Sequence, residues 1–131
     1  GADGHLVHLP RGEGVRLLIT GSRKWKSREL IRDRLLLYPE GTIVVHGNAW
    51  GADQLAAIVA REVGQIPEPH PVSRDDWERL GLAAGSIRNQ LMVDLGADWC
   101  EAFPHRDSVG TFDCMKRARM AGIPVEETWE D

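Results

Sequence analysis

The chain has 131 residues, 42% hydrophobic and 27% charged, which is the composition of about one globular domain able to bury its own core. A net charge of −4 argues against a protein that coats DNA or RNA, and no apolar run approaches the roughly 18 residues of a membrane span. Cys100 and Cys114 form neither a C-x-x-C pair nor a metal spacing, so they are expected to be free thiols in a reducing, cytoplasmic setting.

Residues 1–14 carry no basic-then-apolar secretion pattern and are read as a flexible leader. Val15–Thr20 is a compact apolar run ending at Gly21, as a buried strand would be. Ser27–Tyr38 has Leu30, Ile31, Leu35 and Leu36 at helical spacing, with Ser27 as N-cap and Pro39 and Gly41 as stops. Thr42–His46 is a second strand and Ala52–Val63 an alanine-rich helix closed by Gly64. Ile66–Val72 holds three prolines, so a strand there should be short and at a sheet edge. An irregular or short helical connection at Ser73–Leu80 leads to a helix over Ala83–Leu95, with Ile87, Leu91 and Met92 assigned to one face. Trp99–Phe103 is a strand, Gly110–Ala121 a helix, and Ile123–Val125 begins a last strand. Glu126–Asp131 is expected to be a solvated acidic tail. Five strands alternating with helices predict a three-layer, Rossmann-like α/β domain over residues 15–125, with a mostly parallel sheet in the order 3-2-1-4-5.

In such sheets ligands bind beyond the carboxyl ends of the strands. Three strands end in loops of small and polar residues that open helices: Thr20–Trp25, His46–Asp53 and Pro104–Thr111. Glycines at Gly21, Gly47, Gly51 and Gly110 let backbone N–H groups approach an anion, and Arg23 adds a planar cation suited to phosphate. Ser22 and Thr111 offer hydroxyls, and Trp25 and Trp50 offer surfaces on which a base could stack. Asp53 is either a helix cap or a ribose contact, and His46 either an acid–base group or a loop-orienting residue. Neither a Walker A sequence nor G-x-G-x-x-G is present. His5, His8 and His70 have no carboxylate or cysteine at a ligating distance in sequence, so no metal is expected. Arg23–Arg34 holds six Lys or Arg, read as a solvated helix face ahead of a nucleic-acid contact.

Several blocks together resemble the SLOG superfamily, and within it the small YspA-type proteins of domain of unknown function 2493. They are Gly21-Ser22-Arg23 with Trp25, His46-Gly47 through Gly51-Ala52-Asp53, Trp77 through Ala84-Gly85, Arg88-Asn89 with Met92, Phe103-Pro104 through Gly110-Thr111 with Asp113, and Ala121 to Val125. The resemblance implies a Rossmann-like domain that binds a nucleotide or nucleotide-derived ligand; no cofactor is expected. Lonely Guy phosphoribohydrolases, more distant members, pair an arginine with a P-G-G-x-G-T-x-x-E loop. Arg88 matches that arginine, and Pro104, Gly110 and Thr111 match the outer loop. The double glycine is replaced by His105-Arg106, and Cys114 stands where the glutamate is expected, with Asp113 the nearest carboxylate.

Three functions follow in order of preference. The first is a nucleotide-binding sensor using the three loops with Arg88 and Asn89. The second is an N-glycosidic hydrolase of nucleoside monophosphates, in which Arg88 holds substrate and Asp113 stabilises charge on the ribose. The third is a nucleic-acid-binding protein like the DNA-processing relatives. The resemblance also admits a homodimer, although no apolar stripe demands one.

Overall fold

A computed structural model describes residues 14–130; most of the expected leader, with His5 and His8, and the terminal Asp131 lie outside the described residues. The described chain is an α/β domain built on one five-stranded sheet. Its elements are β1 (Arg16–Gly21), α1 (Arg28–Leu35), β2 (Ile43–His46), α2 (Ala52–Glu62), β3 (Ile66–Pro69), α3 (Arg74–Leu80), α4 (Ala83–Leu95), β4 (Trp99–Phe103), α5 (Val109–Met120) and β5 (Val125–Glu127). All strand pairs are parallel, as the alternation of strands and helices predicts, and the order is β3-β2-β1-β4-β5, the one expected above. The proline-bearing β3 is an edge strand, where its missing N–H groups interrupt no ladder.

Side chains alternate between the two faces of the sheet. Leu17, Ile19, Val44 and Phe103 pack with Ile31 and Leu35 of α1 and with Ala52, Ala56, Val59 and Ala60 of α2. Leu18, Val45 and Cys100 pack on the other face with Met92 and Val93 of α4 and Cys114 and Ala118 of α5. These are the three layers. Ser27 caps α1 by accepting from the Leu30 N–H at 3.2 Å. The basic run from Arg23 to Arg34 is largely neutralised: Arg28 and Arg32 of α1 pair with Glu62, and Lys24, in the loop before it, pairs with Asp107 at 2.8 Å.

Two expectations are corrected. Ile87 and Leu91 do not share the buried face of Met92 but stand half exposed; the helix buries Ala84, Asn89, Met92 and Val93 instead. The acidic tail is not merely solvated, since Val125–Glu127 pairs as β5 with β4. Beyond it, the Glu130 carboxylate accepts from the Lys26 and Ser27 N–H groups at 3.0 and 2.8 Å and lies 2.7 Å from His105 Nε2. Those N–H groups precede α1 and have no helical partner, which is why a carboxylate is held there.

The sheet also contains a charge. Glu101 on β4 is fully buried and faces α1, where Arg34 Nε and Nη2 donate to it at 2.8 and 3.1 Å and the Tyr38 hydroxyl donates at 2.7 Å. Removing one partner leaves a carboxylate stranded in the core. Arg34→Met should therefore lower unfolding free energy by about 3 kcal/mol, read as a lower urea midpoint at unchanged slope.

Candidate functional site

The β-α junctions at the carboxyl ends of β1, β2 and β4 meet at one rim. The Ser22 N–H donates to Phe103 O at 2.9 Å, and its carbonyl accepts from Trp25 N at 3.2 Å and Ala52 N at 3.1 Å. Two glycines permit this. A Cβ on Gly21 would overlap Ala52 and crowd Phe103, and one on Gly51 (φ +75°) would overlap the carbonyls of Ser22 and Arg23. Gly21 and Gly51 thus serve backbone packing first, and Gly51 lines neither of the two hollows described below.

The rim encloses a cavity of about 690 Å³, within the range of small-molecule sites. Gly21, Ser22, Arg23, Asp53, Arg88, Asn89, Gly110, Thr111 and Asp113 all line it. Trp77 adds apolar wall, the buried Ile19 and Met92 lie behind it, and the exposed Leu82 and Val109 form apolar lips. The start of α5 contributes N–H groups that the helix itself leaves unpaired. Lys24 and Asp107 line it too, and their ion pair ties the first loop to the third across the mouth. Both residues stand in the loops that the sequence marks, but nothing local shows that they pair.

A second hollow of about 320 Å³ adjoins it, sharing Arg23, Ala49, Trp77 and Arg88 and adding Gly47, Trp50, Pro71 and Val72. Trp50 is 72% exposed. Trp25 is a correction: it is only 3% exposed and lines neither hollow. Its ring stacks on His105 at 5.4 Å, meets Phe103 edge-on at 5.3 Å, and donates Nε1–H to Ser27 O at 2.8 Å, so no face is left for a base.

The two arginines differ. Arg88 Nη1 donates to Gly47 O at 2.5 Å and to His70 O at 3.3 Å, and its Nε donates to Asn89 Oδ1 at 3.1 Å. Gly47 has no side chain because the guanidinium occupies that space. Among the described residues only Nη2 of Arg88 is uncommitted, so the side chain chiefly fastens the second loop. Arg23 is exposed at the junction of both hollows and makes no hydrogen bond or ion pair among the described residues.

Asn89 continues the network, donating to Gly110 O at 3.3 Å and to Asp113 Oδ2 at 3.0 Å. Asp113 Oδ2 also accepts from Arg117 Nε at 3.0 Å. Burial opposes its charge, but the Arg117, Asn89 and Ser86 contacts hold its carboxyl below the usual range. Cys114 does not take the place of the missing glutamate: it is buried, and burial pushes its thiol up to about 12.

Asp53 and His46 organise the second loop. Asp53 Oδ2 accepts from the Gly47 and Ala49 N–H groups at 3.1 and 3.3 Å, while its buried Oδ1 has no partner among the described residues. Burial raises the Asp53 carboxyl from 3.8 to about 6, against the pull of the Ala49 N–H, Arg88, the Gly47 N–H and Arg23. His46 Nδ1 accepts from the Asn48 N–H at 3.0 Å, so the ring proton is on Nε2. Burial, then His70, Arg61 and Arg88, lower it from 6.5 to about 4. It is a neutral, loop-orienting residue at physiological pH and lines neither hollow.

No protein-family model matches the chain. Over 119 residues it is 49% identical to the Gene 61 protein of Mycobacterium phage D29, covering 84% of this chain and 93% of that protein. Among solved structures it is similar to the C-terminal domain of a hydrogenase from Pyrococcus furiosus, at a TM-score of 0.47 and 14% identity over 91% of this chain and 99% of that one.

Asp53 and His46 oppose one another in acid. As pH falls from 6.5 to 4, the unfolded chain protonates His46 and the folded one does not, so stability is lost. Over the fall from about 6 to 3.8 the folded chain protonates Asp53 first, so stability is gained. Asp53→Asn should therefore lose stability relative to the unaltered protein as pH drops from 6.5 to 4, and His46→Gln should gain. Denaturant unfolding at stepped pH measures both differences; pH profiles parallel to that of the unaltered protein would contradict the assignment.

Proposed function

We propose that this chain, which belongs to the family of the Gene 61 protein of Mycobacterium phage D29, binds a nucleotide or nucleotide-derived ligand in the rim cavity. The observation that carries the reading is Arg23. It is an unspent cation at the mouth of a cavity of about 690 Å³ that also has the start of α5 in its wall. A guanidinium needs a planar anionic partner, and helix starts favour the same charge. A phosphate between Arg23, Gly110 and Thr111, with Arg88 Nη2 in reserve, meets both demands. Asp113 is an ionised acceptor for ribose hydroxyls, and Trp77 and Leu82 offer apolar surface to a base. The SLOG resemblance of the same loops supports the same ligand class.

Cleavage of an N-glycosidic bond is less well supported. It asks for a carboxylate free to face positive charge building on the sugar. Asp113 already accepts from Asn89 and Arg117, and Arg88 already makes three hydrogen bonds within the protein. A nucleic-acid coat has less support again, because Lys24, Arg28, Arg32 and Arg34 are paired with carboxylates.

Calorimetry with AMP, GMP, CMP and UMP, each beside its parent nucleoside, tests the reading. At least one monophosphate should bind and raise the melting temperature, with its nucleoside at least tenfold weaker. Arg23→Ala should cost the monophosphate about tenfold or more, the worth of a charged hydrogen bond. A complete panel without binding overturns the proposal, and free base released during incubation would replace it with the hydrolase.

A further inference from the structure

We infer that the ligand is two-part: a nucleotide whose phosphates pass between Arg23 and Arg88 and carry a second planar group onto Trp50. This deepens the nucleotide reading and rests on it. The two hollows are neighbours, and the residues common to both include two arginines. Arg23 is wholly unpaired among the described residues, and Arg88 keeps Nη2. Two guanidiniums at one junction suit a diphosphate, whose charge is shared between two phosphoryl groups, better than a single terminal phosphate.

Beyond that junction the second hollow has one large flat surface. Trp50 is 72% exposed and has neither a ring partner nor a hydrogen bond among the described residues, in contrast to Trp25. It does not ride on a loose loop. The residues before it are fixed by the Gly47 and Ala49 N–H bonds to Asp53 and by the Asn48 N–H bond to His46. Gln54 Nε2 further donates to Asn48 O at 3.4 Å. An indole held open in this way stacks a ring at little ordering cost. Trp77, in the wall of both hollows, gives the linking segment an apolar flank. The chemical class is thus a dinucleotide or a nucleoside diphosphate ending in an aromatic ring.

The test compares ADP with diadenosine diphosphate, and GDP with diguanosine diphosphate, by calorimetry. In at least one series the two-ring ligand should bind about tenfold tighter. Trp50→Ala, at an exposed position that does not threaten folding, should bring that ratio to about one, and Trp50→Phe should keep most of it. A ratio near one in both series for the unaltered protein, or a ratio that survives Trp50→Ala, overturns the inference while the nucleotide reading stands. No binding of any of these diphosphates overturns the inference; the nucleotide reading falls with it only if the four monophosphates also fail to bind. Equal competition by a short oligothymidylate would assign the second hollow to a nucleic-acid strand and overturn the small-ligand assignment.

Discussion

One backbone junction determines whether this protein has a rim cavity at all. Ser22 donates its N–H to the end of β4 and accepts the first N–H of α2 and the N–H of Trp25, while its Oγ accepts from Lys24 N at 3.0 Å. Three loops far apart in sequence are thereby drawn to one point. The bonds form only because α2 can lie against β1 at Gly21 and turn at Gly51. A side chain at either position would separate helix from strand and open the rim. The cavity is a consequence of this close approach, and the charges around it are placed by it.

Around that junction the polar residues divide into framework and free groups. Arg88, Asn89, Asp113 and Arg117 form a continuous chain of hydrogen bonds from the second loop to α5. Such a chain fixes the mutual position of the loops and uses most of its donors in doing so. Asp53 supports the loop from below with one oxygen. Arg23 is left over, exposed and without a hydrogen bond or ion pair among the described residues. A residue's fitness for ligand chemistry here depends less on its type than on what its neighbours have already claimed.

The sequence made the layered fold legible because each strand is a short apolar run bounded by a helix start, and because parallel connections have one favoured hand. The rim loops were legible for the same reason: small residues after a strand have a restricted set of uses. What stayed hidden were choices between equivalent partners across long stretches of chain. No periodicity tells that His105 stacks on Trp25 and leaves Trp50 outside, or that the carbonyls of Gly47 and His70 consume Arg88. Glu130 looked like one charge in an acidic run, yet it caps the entry to α1 from 103 residues away. The half exposure of Ile87 and Leu91 goes with a helix that turns Asn89 inward to Gly110 and Asp113, which hydrophobic spacing does not indicate.

The buried carboxylate of β4 has a further effect on how the sheet assembles. Glu101 stands opposite Ile19 of β1 and turns toward Arg34 and Tyr38. Sliding β4 by a single residue would turn every side chain over, sending this carboxylate onto the apolar face of Leu18, Val45 and Met92, away from Arg34 and Tyr38. The correct alignment is then the one in which the acid finds its base, and misaligned pairings carry a penalty that an all-aliphatic strand would not impose. Glu101 acts as an indexing pin for the sheet, and through β4 it sets the height at which the rim loops stand.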